Sequence, residues 1–275
     1  MDPVPEDRAT RRPSRDRGAN SRAVFAARRS AILGGVSLSI GPQLVVALDG
    51  PASSGKSSVG ATAAVELGYR FCDTGLLYRA ATWLALRRGV PAAGNPAPLV
   101  ALTSEIELVP DENGRLAHVT VDGEDVTEAV HTPIVDEAVS AVSRVPELRE
   151  ALLERQRALA GEPGGIIMAG RDIGTVVLPD ANLKIFLDAS AEERSRRRAE
   201  ERGLATDSPE ARFILAQLRR RDDLDRNRTV APLRPAPDAI HIVTDGNEFE
   251  DTVAAVVTAI RDAERRAGMT QVAQS

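Results

Sequence analysis

Two glycines, a lysine and a closing serine hold fixed places in Gly50-Pro51-Ala52-Ser53-Ser54-Gly55-Lys56-Ser57. That spacing suits a polyphosphate. Glycines let successive backbone N–H groups face one concavity, and a helix opening behind them adds partial positive charge. Lys56 would reach the β- and γ-phosphates of ATP, the Ser57 hydroxyl would take one position on Mg²⁺, and Ser58 would close the cradle. Lys56 and Lys184 are the only lysines in the chain, so a lysine at this position is harder to ascribe to chance. The alternative is a decayed loop that merely turns the chain.

Three further stretches concentrate arginines and carboxylates: DTGLLYR at Asp73 to Arg79, GRDIGTVV at Gly170 to Val177 and RRDDLDRNR at Arg220 to Arg228. Guanidinium forks match phosphate oxygens and polar base edges, while a carboxylate accepts from an amine or a sugar hydroxyl. Arg194, Arg197 and Arg198 stand at i, i+3 and i+4 and so share one helix face, with Glu193 four residues before Arg197. The plain reading of both charge runs is a solvated, salt-bridged helix surface.

Elements able to position these groups are legible. The apolar run Leu44 to Val46 reads as a strand ending at Asp49, and a helix opens near Lys56 and stops at Gly68. Tyr69 to Asp73 reads as a strand and Thr74 to Arg88 as a helix stopped by Gly89, which together imply a parallel sheet. Ile106 to Val126 alternates around Asn113-Gly114, the signal of a β-hairpin in an inserted segment. Helices are expected at His131–Arg144, Pro146–Ala160, Ala191–Arg202, Pro209–Arg221 and Glu248–Ala267, and strands at Ile166–Met168, Leu183–Asp188 and Ala239–Thr244.

Composition narrows the class. With 275 residues and 43% apolar content the chain can bury a large core, and a net charge of −5 offers no global field for nucleic acid or a membrane surface. Aromatic residues are 3% of the chain, too few for base-stacking platforms. Cys72 is the only cysteine, which suits a reducing cytoplasm, and His118, His131 and His241 lack metal-ligand spacing. Residues 1–43, with eight arginines up to Arg29, read as a disordered Arg-rich tail. A targeting peptide and a later start near Val36 are the other readings of it.

The phosphate loop and the three stretches, in this order, resemble the bacterial cytidylate kinases of the nucleoside monophosphate kinase family, over roughly Leu44 to the C-terminal helix. The resemblance implies an α/β, three-layer P-loop kinase on residues 44–275. It has a parallel central sheet, an NMP-binding insert with the hairpin at about 92–161 and a helical lid at about 190–208. It implies ATP-dependent phosphorylation of CMP and dCMP by a monomer with Mg²⁺. Thr74, Tyr78 and Arg79 then approach the acceptor, Arg79 and Arg171 grip its phosphate, and Ser140, Arg149, Asp172 and Arg228 surround the cytosine edge. Arg221 and Asp225 read the sugar; Arg194, Arg197 and Arg198 close over the triphosphate, with Lys56, Arg79, Arg171 and Arg197 supplying catalytic charge. The family carries a carboxylate immediately before the Gly-Arg-Asp run, where this chain has Ala169. Asp172 or solvent must then complete the metal's outer shell, or turnover is lower. The rival readings are a P-loop kinase for another nucleotide or small metabolite, and a nucleotide-switched binding protein.

Overall fold

A computed structural model of the chain describes residues 43–274, with side chains to residue 268; the expectations for the tail lie outside the described residues. β1 (Val45–Asp49) has no polar side chain before Asp49 and is buried from Val46 onward. Such a run has no wet face, so it belongs in the middle of a parallel sheet covered on both sides. β6 (Ile166–Gly170) pairs with it on one side and β7 (Leu183–Asp188) on the other, both parallel. β2 (Arg70–Asp73) flanks β6 and β8 (Ile240–Val243) flanks β7, giving the parallel order β2-β6-β1-β7-β8.

Helices cover both faces. α1 (Lys56–Leu67) and α8 (Phe249–Gln274) bury Val59, Ala63, Val256 and Ile260 against Leu48, Ile167 and Ile185. On the other face Ala160, with the half-buried Leu153 and Leu159, packs from α5 (Pro146–Gly161) on Ala47, Cys72, Ile166 and Met168. α1 stops where expected: Gly68 takes φ +67° and its N–H reaches back to Ala64 and Val65.

α2 (Gly75–Arg88) anchors a second hydrophobic cluster. Leu77 and Leu84 meet Leu99 of the short α3 (Ala97–Ala101), Ile106 of β3 (Ile106–Pro110), Val119 of β4 (Arg115–Val121) and Leu148 of α5. β3 and β4 form the antiparallel hairpin, with Gly114 at φ +76° in its turn and the two-residue β5 (Glu124–Asp125) beyond. β4 also pairs parallel with β2, Phe71 to Arg115 and Cys72 to Leu116, so the hairpin extends the edge of the central sheet.

Three helices depart from the sequence expectation. α4 is Pro133–Val142, not His131–Arg144. Thr132 before the proline is extended, as steric clash with the pyrrolidine ring requires, and Ala129–His131 closes into a separate 3₁₀ turn. α6 (Ala191–Glu201) and α7 (Pro209–Arg226) are capped by Ser190 and Ser208, which accept from the N–H groups of Glu193 and Ala211. α7 runs five residues past Arg221 because nothing in DDLDR breaks it, and α8 continues past Ala267 through Gly268. No helix among the described residues is long and apolar enough to cross a membrane.

Candidate active site

The carboxyl ends of β1, β2 and β6 open onto one cavity of about 740 Å³, the end of a parallel sheet where ligands are held. The loop after β1 is shaped by backbone demands. A Cβ on Gly50 would lie 2.1 Å from the Leu187 carbonyl oxygen, and Ser53 and Gly55 take φ values of +58° and +88°. Lys56, nearly buried, donates to the Pro51 carbonyl at 2.7 Å and to Ser54 Oγ at 3.2 Å. Burial pushes its ammonium well below its usual pKa, Arg171 adds to the push, and Asp73 and Asp49 oppose it. The Ser58 hydroxyl donates to the Gly55 carbonyl and Ser57 Oγ donates to Asp73 Oδ2 at 2.5 Å.

Asp73 ends β2 in register with Ala169 of β6. Its other oxygen accepts from the Gly75 N–H, and Thr74 donates through both its N–H and hydroxyl to the Ala169 carbonyl. The Thr74 hydroxyl is thus spent on joining two strand ends beside the cavity. Beyond Gly170 the chain makes a wide turn, Ile173–Val177, in which Val177 and Leu178 donate to carbonyls five residues back. Asp49 holds that turn: its two oxygens accept from the Ile173 and Gly174 N–H groups at 2.8 and 2.7 Å. Burial raises the Asp49 carboxyl to about pH 6 in spite of those bonds.

Arg149, Asp172 and Arg228 come together from α5, the residue that opens the turn and the segment just past α7. Asp172 accepts from Arg149 at 2.5 Å on one oxygen and from Arg228 at 3.2 Å on the other, and all three side chains are buried. Arg149 also donates to the Ser143 carbonyl and lies over the Tyr78 ring, 5.3 Å from its centroid. Burial lowers the Arg228 pKa and raises that of Tyr78. Ser140 lines the same cavity.

The remaining arginines meet carboxylates. Arg171 Nε donates to Asp225 at 3.1 Å, so Asp225 pairs with Arg171 while Arg221 faces Asp136 at 3.7 Å. Burial, reinforced by Arg171, lowers Arg221 to about 10. Arg79 donates to the Val130 carbonyl at 3.0 Å and to Asp136 at 2.5 Å. In α6 the expected face divides by task. Arg194 is buried, bonded to the Ala52 and Ala189 carbonyls and paired with Asp222 at 2.5 Å. Arg197 binds Glu193 and both the hydroxyl and carbonyl of Thr244, and Arg198 pairs with Asp136 at 2.9 Å. Glu193, held by Arg196 and then Arg197, has its carboxyl drawn down to about 2.

Sequence reasoning assigned no role to Asp49, Asp73 or Asp136. Asp49 and Asp73 sit at strand ends beside named motifs, a positional signal that could have marked them; Asp136 carries none, since only the fold brings α4 to α2, α6 and α7.

A phosphate-cradling loop between a central parallel strand and a helix, with arginines converging from four helices on one cavity, defines a P-loop phosphotransferase. The family model for cytidylate kinase matches residues 46–262. A cytidylate kinase of Pelotomaculum thermopropionicum is 47% identical over 220 residues, 78% of this chain and 95% of that protein. One from Enterococcus faecalis is 46% identical over 224 residues, covering 80% and 96%, and one from Rhodococcus jostii is 43% identical over 220 residues, covering 80% and 96%. The chain belongs to the cytidylate kinase family.

Proposed function

We propose that the protein transfers the γ-phosphoryl group of ATP to the phosphate of CMP or dCMP, yielding ADP and CDP or dCDP, a step of pyrimidine nucleotide metabolism in the cytoplasm. The observation that carries this is the buried Arg149–Asp172–Arg228 group with Tyr78, set in the cavity that the P-loop opens. A carboxylate there accepts from the exocyclic amine of cytosine, and the guanidiniums donate to its ring acceptors; a base with the opposite pattern leaves them unpaired.

The acceptor's phosphate oxygen attacks the γ-phosphorus as the bond to the β-bridging oxygen breaks. Little covalent chemistry falls to the protein, and the work is alignment and charge neutralisation. Arg79 and Arg171 hold the acceptor phosphate, while Lys56 and Arg197 meet the transferring group. Asp225 takes the sugar with Arg221. The lid at about 190–208, with Arg194 fixing its root on the loop, excludes water so that ATP is not hydrolysed.

The donors fit Mg²⁺: Ser57 Oγ and the Asp73 carboxylate meet at the mouth of the loop, hard oxygens of the kind that bind this ion together with substrate phosphates and water. Bound there, the ion would neutralise charge on the β- and γ-phosphates. Asp172 pairs with Arg149 and Arg228 on the base side, whereas Asp73 is bonded to Ser57 and in register with Ala169, so Asp73 would supply the carboxylate that position 169 lacks. A coupled ADP-release assay over CMP, dCMP, UMP, AMP, GMP and dTMP tests the reading. CMP and dCMP are expected to be the best acceptors, and AMP turned over about tenfold better than CMP would exclude it.

A further inference from the structure

Asp136 stands in the first turn of α4 and has no part in the reaction described above. Its two carboxylate oxygens serve different helices: Oδ1 accepts from Arg79 of α2 at 2.5 Å, and Oδ2 from Arg198 of α6 at 2.9 Å. Arg221 of α7 lies 3.7 Å from Oδ1. All four side chains are only 16–24% exposed. Burial opposes ionisation, yet the Arg79, Arg198 and Arg221 charges together hold the carboxyl below its usual range.

The three arginines line the catalytic cavity and reach it from three different helices. On the functional reading above, on which this inference rests, Arg79 grips the acceptor's phosphate and Arg198 closes over the donor's. We propose that Asp136 is a positioning residue that fixes these two guanidiniums relative to each other, and so sets the alignment of acceptor and donor phosphates. The geometry supports a brace rather than an incidental ion pair. Arg79 is held by two of its nitrogens, NH1 on the Val130 carbonyl and NH2 on Asp136, both from the same inserted segment. A fork fastened at two points cannot swing, and the second oxygen of the same carboxylate then reaches the lid helix. One unit thereby connects the acceptor side to the donor side. In a reaction driven by alignment, loss of such a brace lowers turnover more than it lowers binding.

Asp136→Asn is the sharpest probe, because an amide offers one acceptor oxygen and turns an NH₂ toward the other guanidinium, breaking the bridge at one end. Asp136→Glu retains both oxygens. The measurements are kcat in the coupled assay, the separate Kd values of CMP and of a non-hydrolysable ATP analogue by calorimetry, and the melting temperature. For Asp136→Asn kcat is expected to fall about tenfold to a hundredfold, with each Kd within about threefold of wild type and melting little changed; Asp136→Glu recovers part of kcat. Unchanged kcat in Asp136→Asn overturns the proposal, as does a loss confined to Kd and melting temperature, which marks a merely structural ion pair. Arg79→Met and Arg198→Met separate the two levels. If Arg79→Met weakens CMP and Arg198→Met weakens the ATP analogue, the map of the two sides stands and Asp136 is judged alone. If neither substitution discriminates, the map fails and the brace fails with it.

Discussion

Among the described residues no carboxylate is in hydrogen-bond contact with Lys56; its ammonium rests on a carbonyl and a hydroxyl within its own loop, and burial lowers its pKa. A triphosphate would supply the missing anion, and that interaction grows as charge spreads over the transferred group. Lys56→Ala should therefore lower kcat about 10²- to 10³-fold, by analogy with removal of other preorganised donors, and raise the ATP KM less. Steady-state kinetics decides it: near-normal kcat would remove Lys56 from the mechanism. The loop and the arginines were legible as residues because each motif is contiguous and its chemistry depends on residue type alone. The partners were not. That Asp225 pairs with Arg171, while Arg221 turns to Asp136, follows from how α7 lies between Arg171, just past β6, and α4, and no spacing within one segment reports that.

The elements show the same division. Buried strands were readable from unbroken apolar runs, and α1 and α2 from their glycine stops, since these are local properties. The wide turn Ile173–Val177 was not, because five-residue spacing is a rare closure and here two of its N–H groups are satisfied by Asp49 from another strand. This makes Asp49 a reporter for the element. Its carboxyl titrates at about 6 in the fold against an ordinary value of 3.8. A carboxyl with a raised folded-state pKa keeps its full contribution below the unfolded pKa and loses it as pH rises through the folded one. The melting temperature of wild type relative to Asp49→Asn should thus decline from about pH 4 to pH 6 and level off above, the change amounting to no more than about 3 kcal/mol. A difference that is flat across that window would show that Asp49 titrates normally.

Over the whole molecule, the loop, the lid helix and α7 are joined at Arg194, which spans the Ala52 carbonyl, the Ala189 carbonyl and Asp222. Arg194→Ala would leave Asp222, 3% exposed, as an unpaired buried charge. Urea denaturation should show a loss of about 3–5 kcal/mol, and a loss under about 1 kcal/mol would mean the pair is solvated in solution. The parallel α/β architecture was legible from alternating strands and helices. The continuity of the hairpin with the sheet edge was not, because it rests on two long-range pairings of β4 with β2. The central claim is that this architecture gathers Arg149, Asp172 and Arg228 to read the acceptor's base while the P-loop serves the donor. Arg149→Met tests it most directly, since Arg228 still neutralises Asp172 while the cytosine edge loses a donor. Measured as kcat/KM for CMP alongside the KM for ATP, the variant should lose about tenfold to a hundredfold toward CMP, with the ATP KM nearly unchanged. Equal losses toward both nucleotides would contradict the account.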